Sequence, residues 1–132
     1  AMQTQLLFGA LNGFLAVALG AFGAHALKPR ISEAKLALFQ TGTHYHLLHA
    51  VAILVVAMMA PRIAAGFATW SARCFFWGIL LFSGSLYVMA VTQMTTFAAV
   101  TPFGGVCFLA GWLILAIAAV KAHQPESTEP SA

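Results

Sequence analysis

Between Leu6 and Val120 the chain passes through four apolar stretches, Leu6–Leu27, His46–Ala60, Cys74–Thr92 and Pro102–Val120, and none contains an aspartate or a glutamate. A helix needs about 20 mostly apolar residues to cross roughly 30 Å of hydrocarbon. Inside a bilayer only a helix or a closed barrel satisfies every backbone polar group. These stretches predict an all-α membrane protein, a four-transmembrane-helix bundle forming a single domain over residues 1–122. Composition points the same way. Of 132 residues, 61% are hydrophobic and 7% charged, against roughly 25% charged in a soluble domain. The six Lys/Arg are scattered singly rather than gathered in a basic stripe, which argues against a nucleic-acid partner. The partner implied first is the lipid bilayer. Cys74 and Cys107 make no disulfide framework, and on these boundaries most of the bilayer separates them, too far for a disulfide.

The second stretch is short, and reaches full length only if His44, Tyr45 and His46 enter the membrane interface. Leu6–Leu27 lacks a positive leading region and reads as a retained helix rather than a signal peptide; Ala1-Met2 reads as an addition at a natural start. Lys28-Pro29 stops the first helix, because proline disfavours helix at the residue before it. Ser32 is a candidate N-cap for Glu33–Gln40, whose Leu36 and Phe39 oppose Glu33 and Lys35. That pattern predicts a short amphipathic interfacial helix between helices 1 and 2, broken by Gly42. Pro61-Arg62 ends helix 2, Trp70, Arg73 and Trp77 mark a boundary before helix 3, and Thr101-Pro102 opens helix 4 as cap and first-turn proline. The tail at 123–132 is expected to be disordered. Arg62, Arg73 and Lys121 fall on one membrane face, and Lys28, Arg30 and Lys35 on the other. Pairing of Lys35 with Glu33 tips the balance toward both termini in the cytoplasm.

Helix 1 carries a seam of small residues, Gly9, Gly13, Ala16, Gly20 and Gly23, which lets another backbone approach closely. Helix 4 partly repeats it at Gly104, Cys107, Gly111 and Ala118, and Gly84 flattens the middle of helix 3. Gly9, Gly13, Gly20, Gly23, Gly84, Gly104 and Gly111 are therefore the expected helix-packing residues. The seam either packs the monomer or forms a homo-oligomer face. Asn12, Ser83, Ser85 and Tyr87 are polar residues within spans, where burial demands hydrogen-bond partners. The lack of a carboxylate in the spans removes the residue on which small proton-coupled cation exporters depend.

Histidine is the residue type that could carry chemistry. His25 closes helix 1, while His44, His46 and His49 open helix 2, at the membrane face that also gathers Thr92, Gln93, Thr95, Thr96 and Thr101. His46 and His49 project about 60° apart and can share a site, whereas His44 points about 160° from His46. The expected polar pocket comprises His25, His49, Ser83, Ser85, Tyr87 and Thr101. With Cys107 at similar depth, His25, His46, His49 and Cys107 form a conceivable ligand set for a transition metal or haem. The simpler alternative is that these histidines hydrogen-bond carbonyls and threonines. No nucleophile with a base and no phosphate-binding loop is present.

The segments Gly20-Ala21-Phe22-Gly23-Ala24-His25, Tyr45-His46-Leu47-Leu48-His49-Ala50, Phe82-Ser83-Gly84-Ser85-Leu86-Tyr87, Thr101-Pro102-Phe103-Gly104-Gly105 and Gly111-Trp112 together resemble a known set. They are similar to the small inner-membrane proteins of a bacterial domain-of-unknown-function family that includes the vertebrate transmembrane protein 256. The resemblance implies a four-helix, multi-pass protein of the bacterial inner membrane with no established reaction. It also implies histidine at His25 and His49, and a position at His46 where bacterial relatives can carry glutamine, a hydrogen-bonding residue but a poor metal ligand. Together these observations predict a non-enzymatic membrane protein acting through helix packing or partner association. Its rivals are a metal- or haem-binding protein and a small transporter or lipid-binding protein.

Overall fold

The computed structural model describes residues 2–92 and 94–122; the tail expected to be disordered, and Gln93, lie outside them. Four helices are long and apolar enough to cross a membrane: α1 (Met2–Leu27), α2 (Glu33–Arg62), α3 (Gly66–Val91) and α4 (Thr96–Ala122). No strand occurs among the described residues. Each helix packs chiefly on its neighbour in the chain, α1 on α2, α2 on α3 and α3 on α4. The two middle helices bury 39% of their apolar windows, against 17% in α1 and 22% in α4. The outer helices therefore offer most of the lipid-facing surface, through exposed residues such as Phe14, Val17, Leu109 and Val120.

The segment Glu33–Gln40 is not a separate interfacial helix. Ser32 does cap it, its hydroxyl accepting from the Lys35 amide at 3.2 Å, but the α-helix runs unbroken from Glu33 to Met59. Gly42 fails to break it because in lipid glycine acts as a contact residue. A Cβ at Gly42 would lie 2.8 Å from the Tyr87 ring, so its absence lets α3 close onto α2. His46 and His49 consequently lie 13 and 16 residues beyond Glu33, about 20 Å or more along the axis and deep in the span rather than at its mouth.

Three further expectations change. Lys35 pairs not with Glu33 but with the Thr92 carbonyl, at 3.1 Å, placing a cation at the C-terminal end of α3 where the helix dipole favours it; this removes the basis for the orientation argument. Helix α3 begins well before Cys74, since Ala68, Ser71 and Ala72 are buried, and Trp70 and Arg73 lie on it rather than ahead of it. Cys74 therefore sits beside Gly111, where a Cβ would lie 3.3 Å from its own, about one turn from Cys107 rather than across the bilayer. Both thiols are free.

The close contacts of the bundle are glycine contacts. Gly9 lies against Leu54, Gly23 against the Phe39 ring and Gly111 against the Phe75 ring, with a hypothetical Cβ 2.6–2.7 Å from each. At Gly104 a Cβ would strike the backbone of Phe82, and at Gly78 the Phe108 ring. Gly13, Gly20 and Gly84 face open space. The seam on α1 thus splits by heptads: Gly9, Ala16 and Gly23 are buried, and Gly13 and Gly20 are left free. Of two π-helical turns, Gly23–Leu27 ends α1 and Ile79–Ser83 interrupts α3. The second contains Ser83 and directly precedes Ser85 and Tyr87.

Candidate functional site

Two histidines on α2 are the largest polar side chains in the core, each only 2% exposed. Burying an imidazole there requires both ring nitrogens to find partners; three of the four partners come one from each of the other helices and the fourth from α2 itself. His46 is the middle of a string. Its Nδ1 lies 2.9 Å from the Tyr87 hydroxyl on α3 and its Nε2 lies 3.0 Å from Asn12 Oδ1 on α1. The Asn12 amide nitrogen donates to the Phe8 carbonyl at 2.8 Å, so its oxygen is the atom turned to His46. That fixes the directions: Nε2–H donates to Asn12, and Nδ1 accepts from Tyr87 O–H.

One turn on, His49 is held the opposite way. Its Nδ1–H donates to the Tyr45 carbonyl at 2.7 Å, and its Nε2 accepts from the Trp112 indole N–H on α4 at 3.0 Å. The ring stacks on Phe108 with centroids 3.6 Å apart and planes 11° from parallel, and Phe75 closes the other side at 5.4 Å. His49 is therefore an aromatic core residue with a polar edge. A cavity of about 480 Å³ opens beside it, lined by Tyr45, Leu48, Phe82, Gly105, Phe108 and Trp112 among others.

The remaining polar residues form separate pairs. Ser83 donates to the Gly42 carbonyl at 2.7 Å, joining α3 to α2. Ser85 and Thr101 share a hydrogen bond of 2.6 Å between α3 and α4, while Thr101 also donates to the Phe97 carbonyl. Thr101 thus binds across helices instead of capping α4, whose helical path starts earlier, at the turn Thr96–Ala99. Ser71, which the sequence reading overlooked, donates to the Gly111 carbonyl at 3.0 Å and is fully buried.

His25 is exposed, in the π-helical turn that ends α1, and His44 is exposed and lies edge-on to Tyr45. The structure does not gather His25, His46, His49 and Cys107. Among the described residues no three His, Cys, Asp or Glu side chains are placed to hold a metal ion. His25 is equally absent from any pocket with His49, Ser83, Ser85, Tyr87 and Thr101, which instead divide among the hydrogen bonds above. The reason is geometric. With α2 starting at Glu33, His25 lies level with the first turns of α2, where Gly23 meets Phe39, and His49 lies ten residues deeper, about 15 Å along the axis.

Comparison with known proteins places the chain. It is 45% identical over 121 residues to the UPF0382 membrane protein YwdK of Bacillus subtilis (strain 168), covering 91% of this chain and 98% of that protein. It is 42% identical over 117 residues to the UPF0382 inner membrane protein YgdD of Escherichia coli (strain K12), covering 89% of each. A UPF0382 membrane protein of Staphylococcus epidermidis (strain ATCC 12228 / FDA PCI 1200) shares 39% over 120 residues. No solved structure matches. The family model described as a protein of unknown function, DUF423, matches residues 19–105. With its four apolar helices and inner-membrane relatives, the chain belongs to the DUF423 family and is a multi-pass protein of the bacterial inner membrane.

Proposed function

We propose that the protein acts without catalysis, as a rigidly keyed helical unit of the membrane that associates through its outer faces. The observation that carries this reading is that all four ring nitrogens of His46 and His49 are engaged by protein groups. A metal ligand or a proton carrier needs a nitrogen lone pair to offer. Here the Nδ1 lone pair of His46 is taken by Tyr87 and the Nε2 lone pair of His49 by Trp112. The test is metal analysis with an optical spectrum on protein purified without a metal-binding tag. Colourless, metal-free protein is expected. Near-stoichiometric metal or haem iron, lost in a His46→Gln/His49→Gln double variant, would overturn the reading.

For the associating face we propose the half of the α1 seam that α2 leaves unoccupied, Gly13 and Gly20, taken by a second copy of the chain. Open space around both glycines supports it, together with the need for close backbone approach between helices in lipid. The variant Gly13→Leu/Gly20→Leu is expected to reduce the mass of the protein in detergent to that of a monomer with an unchanged melting temperature. Gly9→Leu, which would collide with Leu54, is expected to lower the melting temperature instead. Unchanged mass in the double variant contradicts a homo-oligomer on this face.

A further inference from the structure

We infer that the cavity beside His49, between α2, α3 and α4, binds the head of a lipid-soluble quinone: a flat ring with acceptor oxygens on an apolar tail. The cavity measures about 480 Å³, within the roughly 300–1,000 Å³ of small-molecule sites. It shares Phe82, Pro102 and Gly105 with an adjoining cavity of about 440 Å³ that reaches Ala98 and Thr101. The two form one groove along the first half of α4. A ligand held there goes beyond the associating role proposed above.

Three observations define the ligand. The first is ring orientation. Tyr45 lies within 9° of the His49 plane and 14° of the Phe108 plane, at centroid separations of 6.1 and 6.2 Å. Phe82 stands across them, tilted 54° from Tyr45 and 58° from Phe108 at 4.8 and 5.5 Å. Three rings in one orientation and a fourth across them suit a planar guest, which stacks offset on some and meets others edge-on. A flexible acyl chain gains nothing from that order. The second is a free donor. Tyr45 is 39% exposed, and among the described residues nothing pairs with its hydroxyl, the bonds at this site being those of its backbone carbonyl and of Trp112. A phenol O–H in surroundings poor in water demands an acceptor, and a quinone carbonyl supplies one. No charged side chain lines the cavity among the described residues, so the guest is neutral. The third is access. Leu48, Val106 and Leu109 line the cavity and are exposed, so it opens to the bilayer, the phase in which such a guest dissolves. A Cβ at Gly105 would meet nothing within 4 Å, which leaves room for a ring beside α4.

The test is a competition, read by native mass spectrometry of the full chain in detergent. The probes are a decyl-substituted benzoquinone, decylbenzene and decylcyclohexane at equal mole fraction in the micelle, so that tail and partitioning are matched. The quinone is expected to be retained about fivefold above decylbenzene, the factor that one hydrogen bond supplies. Decylbenzene should in turn exceed decylcyclohexane about twofold or more, through ring stacking. Tyr45→Phe removes only the hydroxyl and should bring the quinone and decylbenzene to within about twofold of each other. Gly105→Leu, whose side chain grows into open space, should cut retention of both ring compounds about tenfold or more with the melting temperature unchanged. A parent protein that holds the quinone no better than decylbenzene overturns the inference, and equal retention of all three probes identifies a groove for acyl chains instead. A quinone preference that survives Tyr45→Phe overturns it as well, as does retention unmoved by Gly105→Leu in protein whose helical spectrum is intact.

Discussion

His46 and His49 sit one turn apart on the same helix, equally buried, and are used in opposite ways. His46 faces polar groups on both sides, donating through Nε2 to Asn12 and accepting at Nδ1 from Tyr87. His49 faces rings, lying flat on Phe108, donating through Nδ1 to its own helix and accepting at Nε2 from Trp112. Three residues of spacing turn the side chains about 60° apart, enough to send one toward α1 and α3 and the other toward α4. Between them the two rings tie α2 to every other helix. In lipid, where little hydrophobic force acts between helices, such directional bonds and close glycine contacts must select one packing from many.

The comparison predicts a ranking of substitutions, read as denaturation free energies in detergent. His46→Leu strands two partners on two helices and should cost most, about 2–3 kcal/mol. His49→Leu strands only the Trp112 N–H and loses the stack on Phe108, for about 1.5–2.5 kcal/mol. His49→Gln, which keeps an acceptor, should be milder than His49→Leu by about 1 kcal/mol. A His49→Leu variant more damaging than His46→Leu would break the string-and-cage distinction.

A smaller effect sharpens it. Asn12→Leu and Tyr87→Phe act on the two ends of one string, so their double-mutant cycle should show coupling of about 0.5–1 kcal/mol. Tyr87→Phe combined with Trp112→Phe should be additive within about 0.5 kcal/mol, because the two residues share no partner. Coupling in the second cycle as large as in the first would merge the two histidines into one network.

The fold was largely legible. Four apolar stretches without an acid left no other architecture, and Lys28-Pro29 follows the end of α1 while Pro61-Arg62 forms the last turn of α2. What misled was reading Gly42 by the rules of water. There glycine interrupts helices, but in lipid it marks where a neighbour comes close, here Tyr87. That one reading shifted the depth of the histidines on α2 and made a terminal site out of a network at the middle of the helix. Starting α3 at Cys74 had a similar effect, since it left Ser71 outside the span and its bond to Gly111 unseen.

Within the site, Asn12 and Tyr87 stood out as polar residues that needed partners, yet the sequence could not say that His46 served both. Trp112 stood out only within a resemblance, although an indole N–H in a span carries the same demand for an acceptor. The free half of the α1 seam was invisible at this level, because Gly9 and Gly13 look alike until a neighbour is placed against one of them.

The central claim is that both histidines are neutral, protein-engaged and of opposite tautomer. Nitrogen-15 NMR of the imidazole rings in bilayer-embedded protein tests it most directly. The account predicts two buried rings, His46 protonated on Nε2 alone and His49 on Nδ1 alone, each assigned by loss of its signals in the corresponding glutamine variant. Two rings in the same tautomeric form, or either ring protonated on both nitrogens at neutral pH, would contradict it.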